Sequence, residues 1–214
     1  MCHHVRMRTW TLLSQKGGSG KTTLALNLAI AASLEGREVV VIDIDPQQSA
    51  IRWSRLRLAD RPVFASGHGP NLPTLIDRAR EGGADLVIVD TAPKSESAAL
   101  AAAKHSDLVV IPCQPSSLDL DAVADSVNIV RLARVKGLFV LNHCRATSPL
   151  ADDAAEALAD MGLPIAPVRV GSRVAFVKSL AEGQGVLEFE PKGAAAEEIQ
   201  RLFKHVAREG GLEA

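Results

Sequence analysis

The chain contains no tyrosine, and aromatic residues make up only 3% of its 214 positions. Its core must therefore be aliphatic. Hydrophobic residues still reach 47%, many of them alanine. That excludes a disordered chain and suits small-residue helices packed closely on a sheet. Cysteine is scarce. Cys2, Cys113 and Cys144 stand far apart, without metal-ligand spacing. Neither a disulfide framework nor a zinc site is expected, and the three read as small hydrophobes in a reducing compartment. His3 and His4 make a poor metal site. No charge of one sign dominates: 24 basic residues face 25 acidic ones, for a net charge of -1. A surface coated in positive charge is excluded, a local basic patch is not. No apolar run approaches the length of a membrane span, and the N-terminus has no signal-peptide core. The expected location is cytoplasmic. Repeats and low-complexity tracts are missing too, and 214 residues suffice for one α/β domain.

What is present alternates. Strand-like runs are Thr9–Leu13, Val39–Ile42, Leu86–Val89, Leu108–Ile111 and Gly137–Leu141. A shorter run covers Pro62–Ala65. Ile165–Val170 reads as an edge strand because of Pro164 and Pro167. Helical runs lie between: one to about Leu34, then Ser49–Ala59, Leu72–Arg80 and an alanine-rich helix capped by Ser95. Leu118–Arg134 follows, with Leu118, Val123, Val127, Val130 and Leu132 facing inward. Leu150–Met161, Arg173–Leu180 and Ala194–Arg208 complete the set. Such alternation implies right-handed crossovers. The expected fold class is α/β, a mostly parallel twisted sheet of about seven or eight strands with helices on both faces. The domain is expected to span residues 8–209, with a flexible lead-in at 1–7 and a tail at 210–214. Ligands of such sheets sit beyond the carboxyl ends of the strands. Lys16–Thr22, Asp43, Asp45, Asp90, Gln114 and Asn142 all follow strand ends.

The stretch Ser14-Gln15-Lys16-Gly17-Gly18-Ser19-Gly20-Lys21-Thr22-Thr23 joins the first strand to the first helix. Strand, glycine-rich turn and helix form the context of a phosphate-binding loop, which makes this a single P-loop NTPase domain. The glycines let successive N–H groups turn inward, and the helix N-terminus adds partial positive charge. Lys21 suits the β- and γ-phosphates of ATP, and the Thr22 hydroxyl suits Mg²⁺. Asp90, at the end of its strand, suits the same cation through water. Asp43 and Asp45 lie on an extended segment and point to one side. They are placed to orient the attacking water and to support the metal, or to form an Asp-Pro turn with a helix cap.

Lys16–Thr23, Asp43-Ile44-Asp45-Pro46-Gln47 and Asp90-Thr91-Ala92-Pro93 together resemble the deviant-P-loop ATPases of the ParA/MinD superfamily. The Asp-Pro-Gln element and Pro112-Cys113-Gln114-Pro115-Ser116 look most like its ParA-type partition branch, in the small form without an N-terminal DNA-binding domain. The resemblance runs from about Arg8 to Arg208. It implies a homodimer formed on ATP. Lys16 matches the signature lysine that reaches the partner subunit's phosphates, Gly17, Gly18, Ser19 and Gly20 the cradle, and Thr23 a hydroxyl near the α-phosphate. Asp45 matches the residue that orients the hydrolytic water, Asp43 a supporting carboxylate and Asp90 the outer shell of the metal. Asn142 matches the reader of the adenine edge, with Pro167 and Arg169 flanking the base.

Members of the family bind DNA non-specifically as ATP dimers, and a partner protein stimulates their weak hydrolysis. The implied function is plasmid or chromosome segregation on the nucleoid with a ParB-like centromere-binding protein. Alternatives are positioning of another cargo, such as a microcompartment, a MinD-like role, a DNA-transfer complex, or a nucleotide-gated scaffold without turnover. Three basic groups stand out: Arg52, Arg55, Arg57 and Arg61; Arg169, Arg173 and Lys178; and Lys192, Arg201, Lys204 and Arg208. The last two combined are the expected DNA patch. The apolar face Ile199, Leu202, Phe203 and Val206 of the last helix is expected on the core rather than on a membrane.

Overall fold

The computed structural model describes residues 6–145 and 149–212. Its elements run β1 (Arg8–Leu12), α1 (Lys21–Leu34), β2 (Val39–Asp43), α2 (Ser49–Ser54), β3 (Val63–Ser66), α3 (Leu72–Glu81), β4 (Leu86–Asp90) and α4 (Glu96–Lys104). Then come β5 (Leu108–Cys113), α5 (Leu120–Ala133), β6 (Lys136–Leu141), α6 (Leu150–Ala159), α7 (Val174–Ala181), α8 (Val186–Phe189) and α9 (Ala194–Glu209). The sheet has six strands in the order β3-β2-β4-β1-β5-β6, and the registered pairs are parallel.

The β-branched runs are strands because both faces of the sheet are covered. Along β4, Leu86 and Ile88 enter one aliphatic cluster, while Val87 and Val89 enter another on the opposite face. Along β5, Leu108 and Val110 face α1 and α9, and Val109 and Ile111 face α5 and α6. The period of two sorts each strand between the layers. Trp10 is fully buried and meets Phe203 of α9, ring centroids 6.2 Å apart. The apolar face of α9 is thus on the core, as expected.

Several expectations need correction. The seventh strand does not form. Residues 164–172 run beside β6 with isolated bridges at Phe139–Ile165 and Cys144–Gly171. Ala166 N–H donates to the Phe139 carbonyl and Val170 N–H to that of Leu141. Four residues on one side thus answer two on the other, a bulge with Pro167 in it that breaks the ladder. α2 ends at Ser54, and Leu56 and Leu58 lie outside any helix, exposed. Leu132 is also exposed. α4 begins after Ser95, but the Ser95 hydroxyl makes no capping bond. Met7 and Leu212 are buried in the core. Cys113 and Cys144 are buried thiols, as expected. Cys2, His3 and His4 lie outside the described residues.

The ends of the central strands decide where chemistry sits. Asp43 pairs in register with Asp90, and Asp90 with Leu12. The carboxyl ends of β2, β4 and β1 therefore finish level, and both aspartates arrive beside the turn that leaves β1.

Candidate nucleotide site

That turn is the glycine-rich loop. Gly18 (φ 75°) and Gly20 (φ 92°) occupy the left-handed region, which glycine enters without penalty. At Gly20 space is also decisive: a Cβ would lie 2.2 Å from the Asn142 amide nitrogen. α1 then starts at Lys21 with no acidic residue in its first turn to offset its dipole. Gly17, Gly18, Gly20, Lys21, Thr22, Thr23, Asp45, Pro93 and His143 line a cavity of about 330 Å³. Larger grooves of 410 and 540 Å³ occur elsewhere but contain no part of the loop.

Lys21 is buried. Its ammonium donates to the carbonyls of Ser14 (3.2 Å) and Lys16 (3.4 Å), so it closes the loop on itself. Burial pushes its pKa down, against the attraction of Asp90 and Asp45. A phosphate arriving in the cradle supplies the counter-charge that burial makes valuable. The Thr22 hydroxyl donates to Asp90 Oδ2 at 2.6 Å. Asp90 Oδ1 is buried with no hydrogen-bond partner. Burial raises this carboxyl to about 7, the largest cause, opposed by the Thr22 bond and by Lys21.

An orphaned carboxylate oxygen beside a threonine hydroxyl fits a hydrated Mg²⁺. Among the described residues no group of three or more His, Cys, Asp or Glu could hold a metal, so the cation needs oxygens from the nucleotide as well. When bound, Mg²⁺ neutralises charge on the transferring phosphoryl group. Thr22 and Asp90 would hold it, and Lys21 would hold the phosphates.

Asp45 lines the cavity and accepts the Gln47 N–H at 2.8 Å. Asp43 does not line it. Its Oδ1 accepts the Asp45 N–H (3.0 Å), and its Oδ2 accepts those of Ala50 (2.9 Å) and Ile51 (3.2 Å). The expected part of Asp43 is that of a supporting carboxylate, and these contacts show how it is held. Asp43 shapes the turn that presents Asp45 and ties it to α2. Asn142 is likewise turned inward, its amide donating to the Ser19 carbonyl at 2.8 Å. In this structure it braces the loop, where an adenine contact was expected. Pro167 and Arg169 are exposed and outside the cavity, and Arg169 pairs with Asp152.

The basic groups fare unevenly. Arg57 is no surface residue: it lies over Trp53 and holds both oxygens of Glu188. Arg61 pairs with Glu38, and Arg173 with Glu198. Lys178, Lys192, Arg201 and Lys204 are exposed. His143 was missed by sequence reasoning, although it follows a strand end just as Asn142 does. It takes a left-handed conformation (φ 55°) that turns it to the loop, and burial lowers its pKa.

Residues 10–187 match the model of the CobQ/CobB/MinD/ParA nucleotide binding domain. The chain belongs to that family. It is 35% identical over 210 residues to maintenance of carboxysome distribution protein A of Gloeobacter kilaueensis, covering 94% of this chain and 93% of that one. It is 26% identical to the chromosome-partitioning ATPase Soj of Thermus thermophilus, covering 94% and 96%. Among solved structures, an ATP complex of Cyanothece McdA superposes with a TM-score of 0.73 at 19% identity, over 97% and 98% of the two chains. The site is thus a ParA/MinD-type ATPase site. No helix among the described residues is long and apolar enough to cross a membrane.

Proposed function

We propose that this ParA/MinD-family ATPase is a positioning ATPase. It dimerises on ATP, binds DNA non-specifically as the dimer, and is released when an adaptor stimulates hydrolysis. One observation carries the reading: Lys16, Lys21, Thr22, Asp45 and Asp90 sit on one edge of the sheet. Thr22 and Asp90 are in contact at 2.6 Å, and Asp45 and Lys21 line one cavity. In this reading Lys16 serves the partner subunit's phosphates, Asp45 orients water, Thr23 stands near the α-phosphate, and Asn142 meets the base after moving from the loop. Lys178, Lys192, Arg201 and Lys204 carry the DNA contacts, while Arg169 and Arg173 are already in ion pairs.

The cargo has two readings. DNA partition with a ParB-like centromere-binding protein follows the motif resemblance and the likeness to Soj. A protein microcompartment is favoured by the 35% identity to a carboxysome distribution protein over nearly the whole chain.

A mobility-shift series tests the DNA step. The ATP-loaded protein is expected to shift unrelated duplexes with an affinity that falls steeply with salt, and the ADP-loaded protein to shift none. Replacing Lys178, Lys192, Arg201 and Lys204 by alanine should flatten the salt slope by about one unit for each phosphate no longer neutralised. Binding that ignores both nucleotide and salt contradicts the proposal.

A further inference from the structure

Ser126 is a buried polar residue among Val123, Val127, Ile129 and Val130 of α5. Nothing in the nucleotide chemistry calls for it, and it is fully buried. Its hydrogen bonds explain its presence. The hydroxyl donates to the Ala122 carbonyl one turn back, at 2.8 Å. Its single proton is thereby committed, and the oxygen is left as an acceptor. That oxygen receives the backbone N–H of Gln15 at 3.2 Å. Gln15 is itself buried and immediately precedes Lys16.

The backbone of Lys16 is thus fixed from three sides. The amide before it is held by Ser126 on α5. Its own N–H donates to the Ser14 hydroxyl at 3.3 Å, and its carbonyl accepts from Lys21 at 3.4 Å. Of these anchors Ser126 is the one distant in sequence from the loop. α5 comes close elsewhere too, since Ala122 and Val123 share a small cleft with Lys16 and Ser19.

We propose that Ser126 is a positioning residue for Lys16, so that α5 sets the direction in which the signature lysine leaves the loop. This rests on Lys16 acting in hydrolysis. Alanine at 126 leaves the Gln15 amide buried without a partner, while the Ser126 hydroxyl bonds to Gln15 and Ala122 and not to the triphosphate cradle from Gly17 to Thr22. The loss should therefore fall on turnover and spare nucleotide affinity.

The test is steady-state hydrolysis and ATP titration on the full chain for Ser126→Ala, Ser126→Thr, Lys16→Ala and the double variant Lys16→Ala/Ser126→Ala. Expected for Ser126→Ala is a kcat reduced about tenfold, with ATP affinity within about threefold of the parent. Threonine keeps the hydroxyl and should restore turnover. In the Lys16→Ala background, removal of Ser126 should cost no further rate, because the two act as one unit. An unchanged kcat in Ser126→Ala, an equal loss of binding and turnover, a threonine variant as slow as the alanine one, or independent losses in the double variant overturns the proposal. Full turnover in Lys16→Ala alone refutes instead the assignment of Lys16 on which it rests.

Discussion

Asp90 is the most strained ionisation in the site. Its carboxyl titrates near 7 because it is buried, and the Thr22 bond only partly compensates. Asp43 is shifted the same way by its burial. A carboxyl raised in the folded state stabilises below its unfolded value, near 4, and that contribution is lost as pH rises through the folded value. In chelator, without nucleotide, the protein should therefore lose stability between about pH 4 and pH 8. Thermal melts across that range check this, and Asp90→Asn should remove most of the slope. A parent protein equally stable at both ends contradicts it. At this scale the sequence disclosed the places of residues better than their contacts. Lys21, Thr22 and Asp90 are legible because a strand-end turn with Gly-Lys-Thr admits few other uses. Asp43 and Asn142 sit at the expected strand ends, yet bond to backbone groups brought there by α2 and by the loop. Those partners are set by tertiary packing, which no local pattern encodes. His143 carried the same positional signal as Asn142 and lacked only a motif.

α2 illustrates the same limit for an element. Its periodicity suggested a helix to Ala59, but the helix stops at Ser54. The chain beyond it is governed by a distant partner: Arg57 bonds to Glu188 of α8 and to the Gly183 carbonyl. The glycine there is required, since a Cβ on Gly183 would fall 2.4 Å from the Leu56 carbonyl oxygen. The Arg57 and Glu188 side chains are only 5% and 20% exposed. Removing Arg57 leaves Glu188 half-buried without its cation, so Arg57→Ala should cost about 3–5 kcal/mol in denaturant unfolding near neutral pH. Burial would raise the Glu188 carboxyl, but the bonds from Arg57 and the Gly185 amide hold it below its usual range. Its stabilisation is present above the ordinary carboxylate range and lost as pH falls through the lowered value. The gap between parent and variant should accordingly shrink in acid. A constant gap, or one under about 1 kcal/mol, would class the pair with surface ion pairs. The residue 165–170 segment failed as a strand for a comparable reason: two prolines and a bulge set its path, and the apolar pattern alone does not register them.

For the whole molecule, the alternation of apolar strands with helices was enough to give a parallel sheet with its polar residues at one edge. It was not enough to count strands at the margins, where β3 has four residues and the 164–172 segment pairs only in isolated bridges. The motif that departs from a plain phosphate loop, Lys16 before Gly17-Gly18, carries the larger claim. On the proposed reading one chain would supply Lys21, Thr22, Asp45 and Asp90 to its own nucleotide, and Lys16 would complete the site of its partner. Two inactive variants then complement each other. Lys16→Ala lacks the reaching lysine, and Asp45→Ala lacks the water-orienting carboxylate. In a two-fold dimer of one of each, the site in the Lys16→Ala subunit holds an intact Asp45 and receives an intact lysine. Random pairing makes half the dimers mixed, each with one complete site of two. Equal mixtures should therefore recover about a quarter of parental ATP turnover, from two proteins that are each close to inactive. A mixture no faster than its components would show that the lysine does not act across the dimer.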